Sequence, residues 1–477
     1  MSFTSLLFMG FVALAALVTQ PLRGTWRLAA ILVAAAIFVA SYVTEPLIVV
    51  PLLLFVLTGY LCVLFAASRK ARHGVAIAVT LIVALFIWFK RYPFVAFIPT
   101  IPFPYMVLGA SYLLFRILHL ILEVGGGALK APSFGRFLAY LFFFPSFLSG
   151  PINRYEPFER DLLQPAAMDS EAAYATLYRL LYGFIKVAVV GELLKILQDM
   201  ASARLDAVIA DGGSVTTIAI LYSAAAPLYL LFLYANFSGY TDMAIAIGRL
   251  FGISLPENFN KPFRAANFQD LWSRWHITLS EWFKIYVFNP LMKMLIRRFP
   301  SRNVGPYLGV IALFVVFLIL GAWHGASWEF MLCGLLFATG VSVNKLFQIE
   351  MAKRMGKKPY QALAKKRVYI WAARGFTLSY YSICLMTFWR SVGQMGVLAV
   401  RLSVPGTLLA TAMMGVVFVL VLWPVEAAGD WLTSRSTAVE HRRGSAKRIA
   451  LLGGMIVLLA LAVPMINSST DFVYKAF

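Results

Sequence analysis

Charged side chains are scarce in this sequence: Asp, Glu, Lys and Arg together make up 13% of 477 residues. Soluble domains carry roughly a quarter. There are three cysteines and five histidines. Cys62, Cys333 and Cys384 all lie in apolar stretches without CxxC spacing, which excludes a disulfide framework and a cysteine zinc site. There is no GxxxxGK[ST] P-loop, no HExxH pair and no nucleophile elbow around Ser149-Gly150-Pro151. No metal is expected, because no Cys, His or carboxylate spacing supports a ligand set beside the paired histidines discussed below.

What is present is apolar. Hydrophobic residues make up 61%, with 39 Phe, 21 Tyr and 11 Trp. A water-soluble globule of this composition would expose large apolar patches and aggregate. The net charge of +21 sits in short clusters between apolar runs, which is the pattern of basic cytoplasmic loops. No basic face with interleaved aromatics exists apart from those loops, so no nucleic-acid partner is expected.

A membrane helix needs about 20 largely apolar residues. Candidate stretches fall near 4–20, 28–44, 46–67, 74–92, 105–124, 137–150, 176–198, 216–236, 306–323, 327–346, 368–393, 405–424 and 449–466. The runs are continuous rather than alternating, which excludes a β-barrel. The expected fold is an all-α polytopic membrane protein with about 11–13 transmembrane helices, the stretch at 137–150 being short enough to be re-entrant. Met1-Ser2-Phe3-Thr4 carries no basic side chain, so the first stretch reads as a span rather than a signal peptide. No soluble domain or internal repeat is visible, and residues 1–477 read as one membrane-embedded domain.

Basic clusters set the orientation. They are Arg23 and Arg27; Arg69, Lys70, Arg72 and His73; Lys293, Arg297, Arg298 and Arg302; Lys353 through Arg367; and Arg435, Arg442, Arg443, Lys447 and Arg448. With these facing the cytoplasm, both termini lie outside, while residues 90–300 stay ambiguous. The turn Trp323-His324-Gly325-Ala326-Ser327-Trp328 then sits deep in the membrane or toward the outer face.

Polar groups inside such a chain are costly and are candidates for function. His73 and His441 fall in basic loops, and His119 reads as a hydrogen-bonded packing residue. His324 ends an apolar run. With an unperturbed pKa of about 6.5, a buried imidazole there is neutral and can take a proton from a hydroxyl. From these features alone a purely structural hydrogen bond is the more ordinary reading. His276 lies within Asn267–Lys284, which at helical spacing places Phe268, Leu271, Trp272, Trp275, Leu279, Trp282, Phe283 and Tyr286 on one stripe. This predicts one interfacial helix, with His276 at the stripe's border as either an interfacial imidazole or a site residue. Phe142–Tyr155 is irregular, Asn236–Asp242 puts small and polar groups just after a span, and Pro256–Phe263 reads as a polar loop.

With these motifs in view, the chain resembles the membrane-bound O-acyltransferase family, in the bacterial branch that holds alginate O-acetylation and teichoic-acid D-alanylation membrane proteins. The resemblance rests on Phe143-Phe144-Pro145 with Ser149-Gly150-Pro151-Ile152-Asn153-Arg154-Tyr155, on Phe237-Ser238-Gly239-Tyr240-Thr241-Asp242, on Glu257-Asn258-Phe259-Asn260-Lys261-Pro262-Phe263, on Leu271-Trp272-Ser273-Arg274-Trp275-His276, and on Trp323-His324-Gly325. These motifs cover about 142–330, and the flanks match only as membrane helices.

The resemblance implies a helical bundle with re-entrant and interfacial helices around a central funnel or tunnel. It implies transfer of an acyl group, acetyl first, from a cytoplasmic thioester to a hydroxyl of an extracytoplasmic polysaccharide. D-alanyl transfer to teichoic acid is the alternative, and a transporter or flippase is the alternative of another class. His324 matches the family's catalytic histidine and His276 its second active-site position, often Asn or His. Trp275, Trp323, Asn258, Ser238, Asp242 and Arg154 fall within the motifs as candidate substrate-binding residues. No tightly bound cofactor is implied. The co-substrate is acetyl-CoA or an acyl carrier protein, met at the basic face. The partners are membrane lipid, an extracytoplasmic acyltransferase or relay protein, and the envelope polymer, in a bacterial inner membrane. Where alginate-type members carry a glycine-rich stretch after this helix, the chain reads Phe288-Asn289-Pro290-Leu291-Met292-Lys293, which leans toward the D-alanyl type.

Overall fold

The computed structural model describes residues 5–68, 73–99, 109–301, 303–436 and 445–462. Arg69, Lys70, Arg72, Arg302, His441, Arg442 and Arg443 of the basic clusters lie outside the described residues, as do Met1–Thr4 and the ends of the spans expected at 105–124 and 449–466. Nearly all of the described chain is helical. Among the described residues the only extended pairing is a single bridge between Phe259 and Trp275.

The chain divides into two compact units: residues 1–185 with 237–258 and 469–477, and residues 186–236 with 259–468. The first unit opens with α1 (Leu6–Thr19), α2 (Gly24–Ala40), α3 (Val50–Ala67), α4 (Gly74–Phe89) and α5 (Ala110–Gly125). It continues with α6 (Phe134–Leu141), α7 (Tyr155–Leu163) and α8 (Ser170–Ile185). A π-helical turn at Lys186–Gly191 leads to α9 (Glu192–Ala210) and the long α10 (Val215–Leu250). The second unit then carries α11 (Phe268–Arg274), α12 (Ile277–Phe283), α13 (Asn289–Arg298), α14 (Gly305–His324) and α15 (Trp328–Met355). It closes with α16 (Lys357–Ala364), α17 (Arg367–Cys384), α18 (Val392–Ser436), interrupted at Ser403, and α19 (Ser445–Ala462).

Among the described residues, five helices are long and apolar enough to cross a bilayer: Pro46–Ala67, Val215–Leu250, Gly305–His324, Trp328–Met355 and Val392–Glu426. Four shorter apolar helices, Leu7–Thr19, Gly24–Ala40, Gly74–Phe89 and Ala450–Ala460, accompany them. The chain is an all-α multi-pass membrane protein. Other stretches expected as spans take different forms. The stretch at 137–150 holds only the end of the eight-residue α6 and a buried 3-10 turn, Phe144–Ser146. The one at 176–198 is divided among α8, the π turn and α9. Those at 105–124 and 368–393 fall on α5 and α17, which bury Arg116 and Arg374 among their apolar residues.

Arg116 explains how irregular backbone persists in an apolar interior. Nonhelical backbone at membrane depth must be satisfied by protein. The Arg116 guanidinium is buried and donates from Nη1 to the carbonyls of Tyr140 (2.7 Å) and Leu141 (2.8 Å), the last residues of α6. Its Nη2 donates to the Ser146 carbonyl (2.8 Å) and Oγ (2.7 Å). One fork thus takes up the helix-end carbonyls that have no partner in the helix. His119, one turn on, accepts at Nε2 from the Tyr155 N–H (3.0 Å), the packing role expected of it.

Two expectations are corrected. Asn236–Asp242 is not an irregular stretch after a span; it lies inside α10, which runs unbroken to Leu250. Small and polar side chains do not break a helix whose backbone bonds are all internal in an apolar setting. Asn267–Lys284 is not one helix. It breaks at Trp275-His276 into α11 and α12.

Candidate active site

The site is built within the second unit from two elements. The first is the α14–α15 hairpin. Where the helices cross, a Cβ on Gly321 would overlap the Gly334 backbone, and one on Gly334 would lie 2.9 Å from the Gly321 Cα. Small residues let membrane helices approach to backbone contact. This crossing sits one turn before Trp323-His324, so it holds the end of α14 rigidly. Gly325 follows in extended conformation, and a Cβ there would overlap the Phe330 ring. The glycine of the Trp-His-Gly turn is therefore required by a ring, which in turn packs 6.4 Å from His324 in a near-parallel arrangement. Phe388, in the 3-10 turn after α17, closes another side at 5.4 Å. His324 is 4% exposed.

The second element is the α11–α12 break. α11 is capped by Asn267, whose side chain accepts from the Asp270 N–H at 2.9 Å. Asp270 in turn binds Arg274 Nε at 2.7 Å. The helix stops because Trp275 turns extended and its neighbour pairs elsewhere: Asn260 N–H donates to the Arg274 carbonyl at 2.9 Å. The Trp275 ring is locked by Phe259 (5.2 Å), Tyr381 (5.3 Å) and Tyr234 (5.9 Å). His276 then adopts φ 48°, ψ 52°, the left-handed region, and its carbonyl accepts the first bonds of α12, from Leu279 and Ser280. Strain of this kind costs about 1–3 kcal/mol and persists only where the surroundings impose it, commonly at functional sites.

The break aims His276 inward. It is 1% exposed and its ring centroid lies 6.5 Å from Trp323. Trp323 also lies 4.9 Å from His324. Two buried imidazoles thus meet one indole. Burial first, and the nearby His324 second, hold the His276 pKa well below its usual value. His276 is neutral at physiological pH.

The structure brings together His276, His324, Trp323 and, through the backbone, Trp275. The other four candidates belong to the first unit. Asp242, on α10, accepts from Arg179 Nε at 2.9 Å, while Arg179 Nη1 and Nη2 clasp the Glu257 carboxylate at 2.7 and 2.6 Å. Arg154 is exposed at the N-cap of α7. Ser238 and Asn258 are buried, Ser238 within α10. Phe330 and Phe388 are site residues that the motifs did not flag. Phe388 has no local signal, because the end of α17 reaches the histidine only through tertiary packing. Arg116 did carry a signal, a cation within an apolar run. Among the described residues no group of three or more His, Cys, Asp or Glu side chains could hold a metal.

These features define a class: a helical, multi-pass membrane protein whose buried histidine pair is seated on aromatic rings. Residues 53–383 match the model of the membrane-bound O-acyltransferase family, MBOAT, and the chain belongs to that family. It is 32% identical over 247 residues to a teichoic acid D-alanyltransferase of Streptococcus thermophilus, covering 50% of this chain and 56% of that protein. It is 35% identical over 221 residues to a peptidoglycan O-acetyltransferase of Helicobacter pylori, covering 45% and 38%. It is 29% identical over 254 residues to a probable alginate O-acetylase of Azotobacter vinelandii, covering 52% and 46%. The chain thus matches at most a little over half the length of these curated relatives.

Proposed function

We propose that this protein moves an acyl group, acetyl first, from a thioester donor at its basic face to a hydroxyl of an envelope polysaccharide, or across the membrane toward it. The observation that carries this reading is the burial of two histidines around Trp323. A thioester carbonyl is already electrophilic, so the chemistry asks for alignment and a base.

His324 is the base. It takes the hydroxyl proton as the alcohol oxygen attacks the thioester carbonyl. The tetrahedral intermediate collapses with loss of the thiolate, which receives the proton back from the His324 imidazolium. The products are the ester and the free thiol. His276, in the break above α12, donates an N–H toward the oxyanion. Trp275 is less suited to that task because its ring is enclosed by Phe259, Tyr381 and Tyr234.

The names of the relatives support an acyl transfer to an envelope polymer: teichoic acid for one, peptidoglycan for another. A second reading, D-alanyl transfer from a carrier protein, is favoured by the 32% identity to teichoic acid D-alanyltransferases and by the absence of a glycine-rich stretch at Phe288–Lys293. Mass analysis of envelope polymers from wild-type, deletion and His324→Ala cells tests both. An acetyl ester lost in the deletion and the variant supports the first, and a lost amine-bearing ester supports the second. Unchanged acylation in His324→Ala cells overturns the mechanism and leaves a transport role.

A further inference from the structure

The outward side of α17 carries a feature that the histidine site does not use. Two apolar cavities open along it. One, of about 630 Å³, lies among α15, α16 and α17, with Val343, Phe347, Tyr360 and Tyr369 in its wall. The other, of about 500 Å³, lies between α17 and α18, around Gly375, Leu408 and Gly415. They share Ala372 and Phe376. Neither is lined by His276 or His324.

Phe376 is 65% exposed and Val368 83%, and Ala372 between them is exposed as well. At spacings of four, these three form one outward ridge on the helix. The ridge starts at the joint of α16 and α17, where Lys365, Lys366 and Arg367 are all exposed. The first N–H groups of α17 emerge at the same point. Cations at a helix N-terminus form an anion site. From Arg367 to Phe376 the helix rises about 14 Å, close to half of a hydrocarbon core about 30 Å thick.

We propose that this face binds a diacyl anionic phospholipid. One chain lies in each cavity, astride Phe376, and the phosphate rests on Lys365, Lys366 and Arg367. Both volumes fall in the range of specific small-molecule sites. Twin apolar slots on one ridge suit a two-chain ligand. A thioester donor with a single arm would fill one slot and leave the other empty. The basic end accounts for a negative headgroup, which a purely annular lipid does not need.

The test uses the full chain purified in mild detergent. Retained phospholipids are extracted and compared by mass spectrometry with those of the source membrane. Phosphatidylglycerol and phosphatidylcholine are then added back separately while the thermal midpoint is followed. The expected result is enrichment of anionic lipid, and a rise in midpoint with phosphatidylglycerol that phosphatidylcholine does not match. The surface variant K365Q/K366Q/R367Q should bind phosphatidylglycerol roughly tenfold or more weakly. Ala372→Trp, which fills the junction of the slots, should retain less of either lipid. Retained lipid that mirrors the bulk membrane, equal stabilisation by both lipids, or displacement of the bound lipid by acyl-CoA would overturn the proposal.

Discussion

His276 and His324 come from separate elements and converge on Trp323, at 6.5 and 4.9 Å between ring centroids. One is delivered by a break between short helices and the other by the tip of a helical hairpin. Chemistry and conformation can therefore be tested separately at each.

At His324, the proposed base, replacement by Ala should lower acyl transfer by about 10²–10⁴-fold. Membrane yield and thermal midpoint should stay near wild type, because the ring ends a helix already held by the Gly321–Gly334 crossing. Ester content of the envelope polymer, with yield as control, checks this.

His276 occupies a left-handed backbone position, where glycine carries no penalty. His276→Gly should therefore be more stable than His276→Ala by about 1 kcal/mol, while both lose most of the activity. His276→Asn should keep the backbone, since Asn also tolerates this region, and should retain part of the rate. Thermal midpoints and turnover of the three variants, side by side, separate the roles.

The pH profile follows from the lowered His276 pKa. A histidine depressed by burial stays neutral until the pH falls below its shifted value, and protonation there opposes both burial and catalysis. Activity should be flat through neutral pH and fall only on the acid side, well below the ordinary histidine range of about 6.5. An acid limb centred on that ordinary value in an initial-rate profile, and absent from the profile of His276→Asn, would show the His276 ring to be solvated.

Gly325 is constrained by Phe330 rather than by its own backbone angles. Gly325→Ala should push that ring toward His324 and reduce turnover, with little change in yield. Adding Phe330→Ala should restore part of the loss, as expected for two residues in direct contact. A double-mutant cycle on transfer rate measures the coupling.

The hairpin crossing gives a stability prediction. Gly321→Leu places a side chain where the Gly334 backbone lies and should lower yield and thermal midpoint sharply. Gly305→Ala, where a Cβ meets nothing within 4 Å, should be tolerated. Fluorescence-detected chromatography of the two variants compares them directly.

The break at Trp275-His276 shows why sequence periodicity falls short here. α11 and α12 are each apolar on one side, so the stripe from Phe268 to Phe283 continues across the interruption as if nothing happened. The interruption comes from Phe259 and Asn260, which pair with Trp275 and Arg274. No window around His276 contains that information. Asn236–Asp242 erred the other way: polar residues that favour turns in water are carried within a helix when no water competes for the backbone.

The sequence by itself determined a helical membrane protein, the Trp323–Trp328 turn and the histidines worth suspecting. Long apolar runs have few solutions in a bilayer, and isolated polar groups in them are costly. Only the tertiary structure decided that His276 leaves the helix, that Phe330 and Phe388 wall in His324, and that Arg116 secures the broken segment after α6. Each of these depends on a partner distant in the chain, and packing and hydrogen bonding across such distances leave no periodic trace.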